Sequence, residues 1–275
     1  MGTSIVVTSG KGGVGKTTTA ANLGIALVKN KKRVCAIDLD VGLRNLDTML
    51  GLSNRVIYDL IDVIENRVDV NQALVEHPNF KNQLYLLAAS QNATQSNLNI
   101  ARMQKIVAQL KAEFDFVILD CPAGIETGFK AAINVADSAI VVTTPEVAAV
   151  GDADRVVGIL EHSALNYGIH LVINRVRMQM VESGTSMDIQ SIVNRLSVPL
   201  IGVIVDDDEV IATSNQGQSI VALESDNRAA AGYLNLARRI LGEQIPLNEI
   251  DFASNSLPQR SSKPGFWQRL FHRNN

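Results

Sequence analysis

Residues 9–19, SGKGGVGKTTT, decide the fold of this 275-residue chain. The residues before them, 5–8, read IVVT and predict a buried strand, and residues 20–27, AANLGIAL, predict a helix. The loop between them matches the GxxxxGKT pattern of a P-loop in the setting that makes this pattern specific, between a strand and a helix. The sequence therefore predicts a site for the phosphates of a nucleotide, which we take to be ATP with Mg²⁺.

Each residue type in this loop has a physical task. Glycines let the backbone turn its N–H groups toward one point, and the start of the helix directs its positive dipole end there. Lys16 is expected to contact the β- and γ-phosphates, and the Thr17 hydroxyl to ligate Mg²⁺. Lys11 is either a solvated loop lysine or a second cation for phosphates, its own or those of a partner subunit. The predicted nucleotide contacts in the loop are Gly10, Lys11, Gly12, Gly13, Val14, Gly15, Lys16, Thr17 and Thr18.

Carboxylates follow two further apolar runs. Asp38 and Asp40 come after residues 34–37, VCAI, and Asp120 comes after residues 116–119, FVIL. The carboxyl ends of parallel strands form the ligand edge of an open α/β sheet, so these side chains should face the P-loop. We predict that Asp38 and Asp120 help bind Mg²⁺ and that Asp40 orients the attacking water. Together with the two lysines of the P-loop, the catalytic candidates are Lys11, Lys16, Asp40 and Asp120.

The rest of the chain alternates apolar runs with helical patterns. This alternation predicts a three-layer α/β P-loop NTPase fold with a mostly parallel central sheet. The further predicted strands are 84–89, 139–144, 171–173 and 200–205, and the further predicted helices are 55–66, 98–114, 151–166, 186–196 and 226–241.

The pattern changes after residue 242. We predict an ATPase domain over residues 1–242, a flexible polar linker over 243–263 and an amphipathic tail over 264–275. At helical spacing the large apolar residues of the tail share one face, and the arginines lie off it. Such a tail either packs on its own domain or lies on a membrane surface, and the mixture of Trp, Phe and Arg favours the membrane. The predicted membrane contacts are Phe266, Trp267, Arg269, Leu270, Phe271 and Arg273.

Composition excludes several classes of protein. The net charge of −3 gives no basic excess for nucleic acid, so no nucleic-acid partner is expected. Cys35 and Cys121 lack CxxC spacing, which suits a reducing cytosol, and two thiolates are too few for an Fe–S cluster held by one chain. A predicted strand begins by residue 4, so we expect no signal peptide, and no apolar run approaches the roughly 20 residues of a spanning helix.

Several stretches together resemble the MinD/ParA family of deviant Walker A ATPases, and specifically its division-site branch. The resemblance covers nearly the whole chain. It implies a homodimer formed with ATP, a MinC-like inhibitor and a MinE-like ATPase activator as partners, anionic lipid as the surface, and a peripheral location on the inner face of the cell membrane. The matching stretches are TSGKGGVGKTT (8–18), DLDVGLRNLD (38–47), DCPAGIETG (120–128), TPEV (144–147), DADR (152–155), SNQG (214–217) and GFWQRLF (265–271).

The resemblance also implies roles for particular residues. Lys11 would act on the partner subunit's nucleotide, and Asn45 would join Asp38 and Asp40 in a first switch segment. Asp120 would open a second switch segment. Asn174 and Arg175 would contact adenine, although this chain has Val205 where the family often has proline. The residues implied at the dimer or partner surface are Lys11, Arg44, Asn45, Asp152 and Asp154.

Two other functions share this fold. A ParA-like DNA-segregation ATPase would need a basic surface on the dimer and has no need of an amphipathic tail. An Fe–S carrier or reductase is disfavoured by the cysteine count. The resemblance, together with the predicted amphipathic tail, therefore implies a membrane-cycling ATPase that positions the division septum by recruiting a division inhibitor.

Overall fold

The computed structural model describes residues 1–223 and 226–247. The predicted tail, residues 264–275, lies outside this part of the chain, as does most of the predicted linker. The strands are β1 (Thr3–Thr8), β2 (Val34–Asp38), β3 (Val75–Glu76), β4 (Leu84–Leu87), β5 (Phe116–Asp120), β6 (Ser138–Thr143), β7 (Ile169–Val176) and β8 (Leu200–Val205). The helices are α1 (Lys16–Lys29), α2 (Leu46–Met49), α3 (Leu60–Ile64), α4 (Val70–Ala73), α5 (Ile100–Glu113), α6 (Thr127–Ile133), α7 (Val147–Leu160), α8 (Met178–Glu182), α9 (Ile189–Leu196), α10 (Asp208–Asn215) and α11 (Arg228–Ile240).

The strands form one sheet in the order β3-β4-β2-β5-β1-β6-β7-β8. Every pairing is parallel except that of β3 with β4. This confirms the predicted α/β fold with a mostly parallel sheet. Strand β1 lies between β5 and β6, so the P-loop emerges near the middle of the sheet, next to the end of β5. The order also places the ends of β2 and β5 side by side, which brings Asp38 and Asp120 together.

Both faces of the sheet are covered by helices. Along β1, Ile5 and Val7 belong to the core on the face that carries α1 and α11, and Val6 belongs to the core beneath α5, α7 and α9. Such continuous apolar strands are typical of a parallel sheet buried on both sides. Helix α1 is buried along nearly its whole length, which fixes its first turn, and hence the P-loop, firmly against the sheet.

The structure corrects the prediction of a helix over residues 55–66. Helix α3 begins only after Asp59, because that carboxylate caps it by accepting hydrogen bonds from the N–H groups of Ile61 and Asp62. Ile57, predicted on the apolar face of the helix, is 83 % exposed. The capping box formed by Asp59 and Asp62 was visible in the sequence and marks the true start.

Other differences are local. Helix α7 begins at Val147, before the predicted start at 151, and Ile100 lies 39 % exposed although it was predicted to point inward. Strand β3 and helices α2, α4, α6, α8 and α10 were not predicted. Most of these are short, and a few residues carry little periodicity. Within residues 1–223 and 226–247, no helix combines the length and apolarity needed to cross a membrane.

Candidate functional site

The P-loop main chain passes unusually close to two neighbours. A Cβ on Gly10 would lie 2.1 Å from the carbonyl oxygen of Asp152, and a Cβ on Gly15 would lie 2.2 Å from Nδ2 of Asn174. Gly15 also has a φ of 97°, a conformation that other residues adopt only with strain. Gly10 and Gly15 are therefore required by packing and by backbone geometry, which agrees with their predicted place in the loop.

Asn174 supports the P-loop from strand β7. Its buried side chain donates a hydrogen bond from Nδ2 to the carbonyl oxygen of Val14, at 2.8 Å. The next residue, Arg175, is exposed and has a φ of 55°, and such strained non-glycine conformations are concentrated at functional sites. The role predicted for these two residues was adenine contact; the structure adds that Asn174 shapes the phosphate loop.

Lys16 begins α1 and is held beneath the loop. It is 8 % exposed, and its Nζ donates to Ser9 Oγ at 3.1 Å, while Ser9 Oγ donates to the carbonyl oxygen of Lys11 at 2.7 Å. Burial lowers the pKa of the ammonium, and the carboxylates of Asp120 and Asp40 act in the opposite direction. Ser9 was not among the predicted site residues, although it is part of the quoted stretch. It orients the lysine and ties it to the loop.

Asp38 and Asp120 both lie at the carboxyl ends of their strands, as predicted, and the structure adds that the strands are adjacent and the two residues directly opposite each other. Asp120 is 1 % exposed, and burial, reinforced by the charge of Asp38, raises the pKa of its carboxyl well above the ordinary value. Its Oδ1 has no hydrogen-bond partner in the described part of the chain. A buried oxygen without a partner and a raised pKa both indicate a place for a cation or a metal-bound water.

Asp38 organises the segment that follows β2. Its Oδ1 accepts from the N–H of Asp40 at 2.9 Å, and its Oδ2 accepts from the N–H groups of Asn45 and Leu46 at 3.0 and 3.1 Å. Burial raises the pKa of this carboxyl to about 6, and the three backbone donors reduce the shift. Asp38 thus fixes residues 40–46 beside the P-loop, whatever further contact it makes with a metal.

Asp40 is placed for a different task. Burial raises the pKa of its carboxyl, and the nearby Lys16 ammonium lowers it. It is less buried than Asp38. Its main-chain N–H donates the hydrogen bond to Asp38, so its carboxylate is not needed for the turn. A partly exposed carboxylate beside the phosphate lysine suits the predicted orientation of a water molecule.

These residues fit a magnesium nucleotide. The Thr17 hydroxyl lies close enough to Asp120 to lower the pKa of that carboxyl, so a hydroxyl and a carboxylate oxygen converge where a hard cation prefers oxygen ligands. Thr17, Asp38 and Asp120 would hold Mg²⁺, the P-loop N–H groups and Lys16 would hold the phosphates, and a bound Mg²⁺ would supply charge neutralisation at the transferred phosphoryl group.

Lys11 lies outside this buried cluster. Its side chain is 43 % exposed, and its Nζ pairs with Glu146 Oε2 at 3.4 Å, just before α7. No role was predicted for Glu146, although it lies in the quoted TPEV motif. Lys11 and Lys16 therefore occupy different environments, with the Lys16 ammonium buried beneath the P-loop and the Lys11 ammonium at the surface.

The residues predicted for the dimer or partner surface lie in two places. Asn45 is exposed, whereas the Arg44 side chain is only 14 % exposed and pairs with Asp47 at 2.7 Å, so in this subunit it stabilises the turn. Asp152 and Asp154 lie on α7, where they pair with Arg155 at 3.7 Å and Arg195 at 3.6 Å. These pairs are long and exposed, which leaves both carboxylates available to a partner.

A cavity of about 150 Å³ adjoins the P-loop helix. Thr18 and Asn174 lie on its P-loop side, so it continues from the phosphate site. Val205, where the family resemblance left the base contacts open, also lines it. The lining residues are Thr18, Met49, Asn174, Arg175, Ile204, Val205, Asp206, Asp207, Val210, Ile211, Ser214, Asn215 and Tyr233.

Comparisons with known proteins identify the family of this chain. The family model for the CobQ/CobB/MinD/ParA nucleotide binding domain matches residues 5–220. The septum site-determining protein MinD of Bacillus subtilis is 53 % identical over 91 % of this chain and 93 % of its own length. That of Thermotoga maritima is 47 % identical over 98 % of this chain and 99 % of its own length.

Solved structures give the same result. The MinC:MinD cell division protein complex of Aquifex aeolicus contains a chain that matches with a TM-score of 0.82 and 41 % identity, covering 89 % of this chain and 98 % of that one. MinD of Pyrococcus horikoshii complexed with Mg-ADP matches with a TM-score of 0.79 and 28 % identity, over 87 % and 96 % of the two chains. A ParA family ATPase of Chlorobium tepidum, at 20 % identity and a TM-score of 0.73, shares the fold.

Proposed function

Because the chain belongs to the family of septum site-determining MinD ATPases, we propose that it dimerises with ATP, binds a membrane as a dimer and leaves it after hydrolysis. The chain is an ATPase that uses ATP and Mg²⁺ and acts in placing the division septum. In the proposed cycle, two subunits close over their nucleotides, and a MinE-like activator stimulates hydrolysis and release. A MinC-like inhibitor binds the dimer, a proposal that the MinC:MinD complex of Aquifex aeolicus supports.

The position of Lys11 carries the proposal of a dimer. Lys16 already provides a buried ammonium at the phosphates, and Lys11 instead reaches the surface beside α7. Asp152 of α7 lies against Gly10 of the loop, so the P-loop and the proposed partner surface are in direct contact. A second subunit that presented its own nucleotide to this face would meet an exposed cation, as expected for a lysine that acts across a dimer interface.

The cavity beside Thr18 is the proposed adenine site. It continues from the P-loop, and Asn174 and Arg175 line it together with the loop after β8. Val205, Asp206 and Asp207 all line this space, so valine in place of proline does not remove the wall of the cavity.

The tail supplies the proposed membrane contact. Residues 264–275 are the amphipathic segment predicted from the sequence, and Phe266, Trp267, Leu270 and Phe271 are its proposed insertion residues. The proposed location is cytoplasmic and peripheral on the inner face of the cell membrane. No observation on this chain favours the DNA-segregation alternative, because the match to the ParA family ATPase, at 20 % identity, shows only a shared fold.

Asp40→Ala should separate nucleotide binding from hydrolysis. The variant loses the carboxylate proposed to orient water but keeps Lys16, Thr17 and the backbone donors. We expect ATP binding and ATP-dependent dimerisation to persist while turnover falls by about a hundredfold. Phosphate release measures the turnover, and light scattering with ATP or ADP measures the mass. Hydrolysis at the parent rate would remove Asp40 from the mechanism, and a monomer with both nucleotides would contradict the proposed dimer.

Lys11 and Glu146 should affect dimerisation in opposite directions. Lys11→Ala removes the proposed trans cation and should weaken dimerisation far more than nucleotide affinity. Glu146→Gln removes the competing exposed ion pair, which is worth at most about 1 kcal/mol, so dimerisation should tighten by up to about fivefold. Glu161→Gln makes the same charge change at the far end of α7 and serves as the control. Unchanged dimerisation of Lys11→Ala in light scattering would exclude a trans role.

A further inference from the structure

We propose that a contact between Gly51 and Gly217 couples occupation of the adenine cavity to the position of the segment that Asp38 holds. Gly51 lies two residues after the end of α2 and Gly217 two residues after the end of α10, so the two glycines join elements far apart in the chain. The inference rests on the proposed placement of adenine, and it adds a positioning role for two residues that contact neither the phosphates nor the carboxylates.

The two main chains are in direct contact. A Cβ on Gly51 would lie 2.5 Å from the carbonyl oxygen of Gly217, and a Cβ on Gly217 would lie 2.8 Å from the Cα of Gly51. Both residues also have positive φ, 66° and 67°. No side chain fits between them, so a displacement of one backbone moves the other with no flexible group to absorb it.

Gly217 is tied to the wall of the cavity. Its N–H donates to the carbonyl oxygen of Ser214 at 3.0 Å, and the N–H of Gln218 donates to that of Thr213 at 2.9 Å. Ser214 and its neighbour Asn215, at the end of α10, line the cavity. A base that enters the cavity therefore touches the helix end that Gly217 closes.

Gly51 is tied to the carboxylate segment. Its N–H donates to the carbonyl oxygen of Thr48 at 3.1 Å, and Leu46, at the start of the same short helix, donates its N–H to Asp38 Oδ2. The helix is a single turn, so it moves as one unit. Met49, on its cavity side, accepts a hydrogen bond from Thr18 Oγ1 at 3.6 Å and itself lines the cavity.

A path of main-chain contacts thus runs from the base site through α10, Gly217, Gly51 and α2 to Asp38. Through this path, a bound base would order Asp38 and Asp40 more completely than bound phosphates alone would. Base recognition would then appear in kcat as well as in KM.

Hydrogen–deuterium exchange with two probes tests this coupling. Mg-ADP and Mg-pyrophosphate both occupy the phosphate site, and only ADP has a base. In the parent protein, ADP should slow exchange at residues 45–50 by about fivefold or more relative to pyrophosphate, within the usual range of coupling between sites. In Gly217→Ala and Gly51→Ala this difference should disappear, and kcat for ATP should fall by about tenfold with little change in ADP affinity.

Gly168→Ala is the matched control. Gly168 also has a positive φ, 76°, but outside its chain neighbours no atom lies within 4 Å of its Cβ position. It precedes the amino end of β7, whereas the P-loop and the carboxylates lie at the carboxyl ends of the strands. This variant should retain the base-dependent protection. Thermal unfolding of each variant checks its fold. If both contact variants unfold, a lack of base-dependent protection at residues 45–50 in the parent still overturns the coupling.

The outcomes separate the two proposals. Equal exchange with both probes at residues 210–215 would overturn the placement of adenine in the cavity. Base-dependent protection at 210–215 without any at 45–50 would leave adenine in place and overturn the coupling. Base-dependent protection at 45–50 that survives in Gly217→Ala would overturn the role of the glycine contact.

Discussion

Replacing Lys16 with alanine should abolish ATP hydrolysis and weaken nucleotide binding. The Lys16 ammonium is buried, it is oriented by Ser9, and it lies close enough to Asp120 and Asp40 to interact with both charges. Its removal leaves the phosphates facing the buried carboxylates Asp38 and Asp120 without the buried ammonium beneath the P-loop. Loss of one such electrostatic stabiliser typically reduces kcat by about 10² to 10³.

Phosphate release and calorimetric titration with ATP measure the two effects. Lys29→Ala is the control, because Lys29 is an exposed lysine at the other end of the same helix. Thermal unfolding confirms that each variant is folded. A Lys16→Ala protein that hydrolyses ATP like the parent would show that the phosphate site lies elsewhere.

Removing the tail should abolish membrane binding and leave unstimulated hydrolysis intact. The four large apolar side chains of the tail would contribute about 6–12 kcal/mol if fully buried. Ordering about eight residues would cost on the order of 8–16 kcal/mol, so these terms nearly cancel. Arg269 and Arg273 would add about 1 kcal/mol each near anionic lipid. A single tail should therefore bind only marginally.

A dimer changes this balance because it carries two tails. Once the first tail is bound, the second acts at a high effective concentration, so membrane binding should follow ATP-driven dimerisation. Deletion from Phe266 onward, or Phe271→Glu, should eliminate sedimentation with anionic liposomes. Phe252→Glu makes the same substitution in the predicted linker and should retain binding. Sedimentation of the tail-deleted protein would exclude the tail as the membrane contact.

The sequence predicted the parts of the site that follow from local pattern. A P-loop needs consecutive residues, and Asp38 and Asp120 each follow an apolar run, so a parallel sheet places both at its ligand edge. The strand order that sets β2 beside β5, and so makes the two carboxylates neighbours, was not predicted. The same reasoning identified the fold, because alternating strands and helices of this length have few arrangements.

The sequence did not predict contacts between distant segments. Glu146 reaches Lys11 across 135 positions of the chain, and Asn174 supports the carbonyl of Val14 across 160. Neither contact leaves a signal in composition or periodicity, since both depend on which loops meet at the edge of the sheet. The start of α3 was also missed, because an apolar periodicity over residues 55–66 outweighed the capping signal of Asp59.

Sedimentation of the intact protein with anionic liposomes, in Mg-ATP and in Mg-ADP, tests the central claim most directly. The claim is that ATP causes two subunits to dimerise and that only the dimer binds the membrane. The account predicts that the protein pellets with liposomes in Mg-ATP and stays in the supernatant in Mg-ADP. Equal binding with the two nucleotides would contradict it.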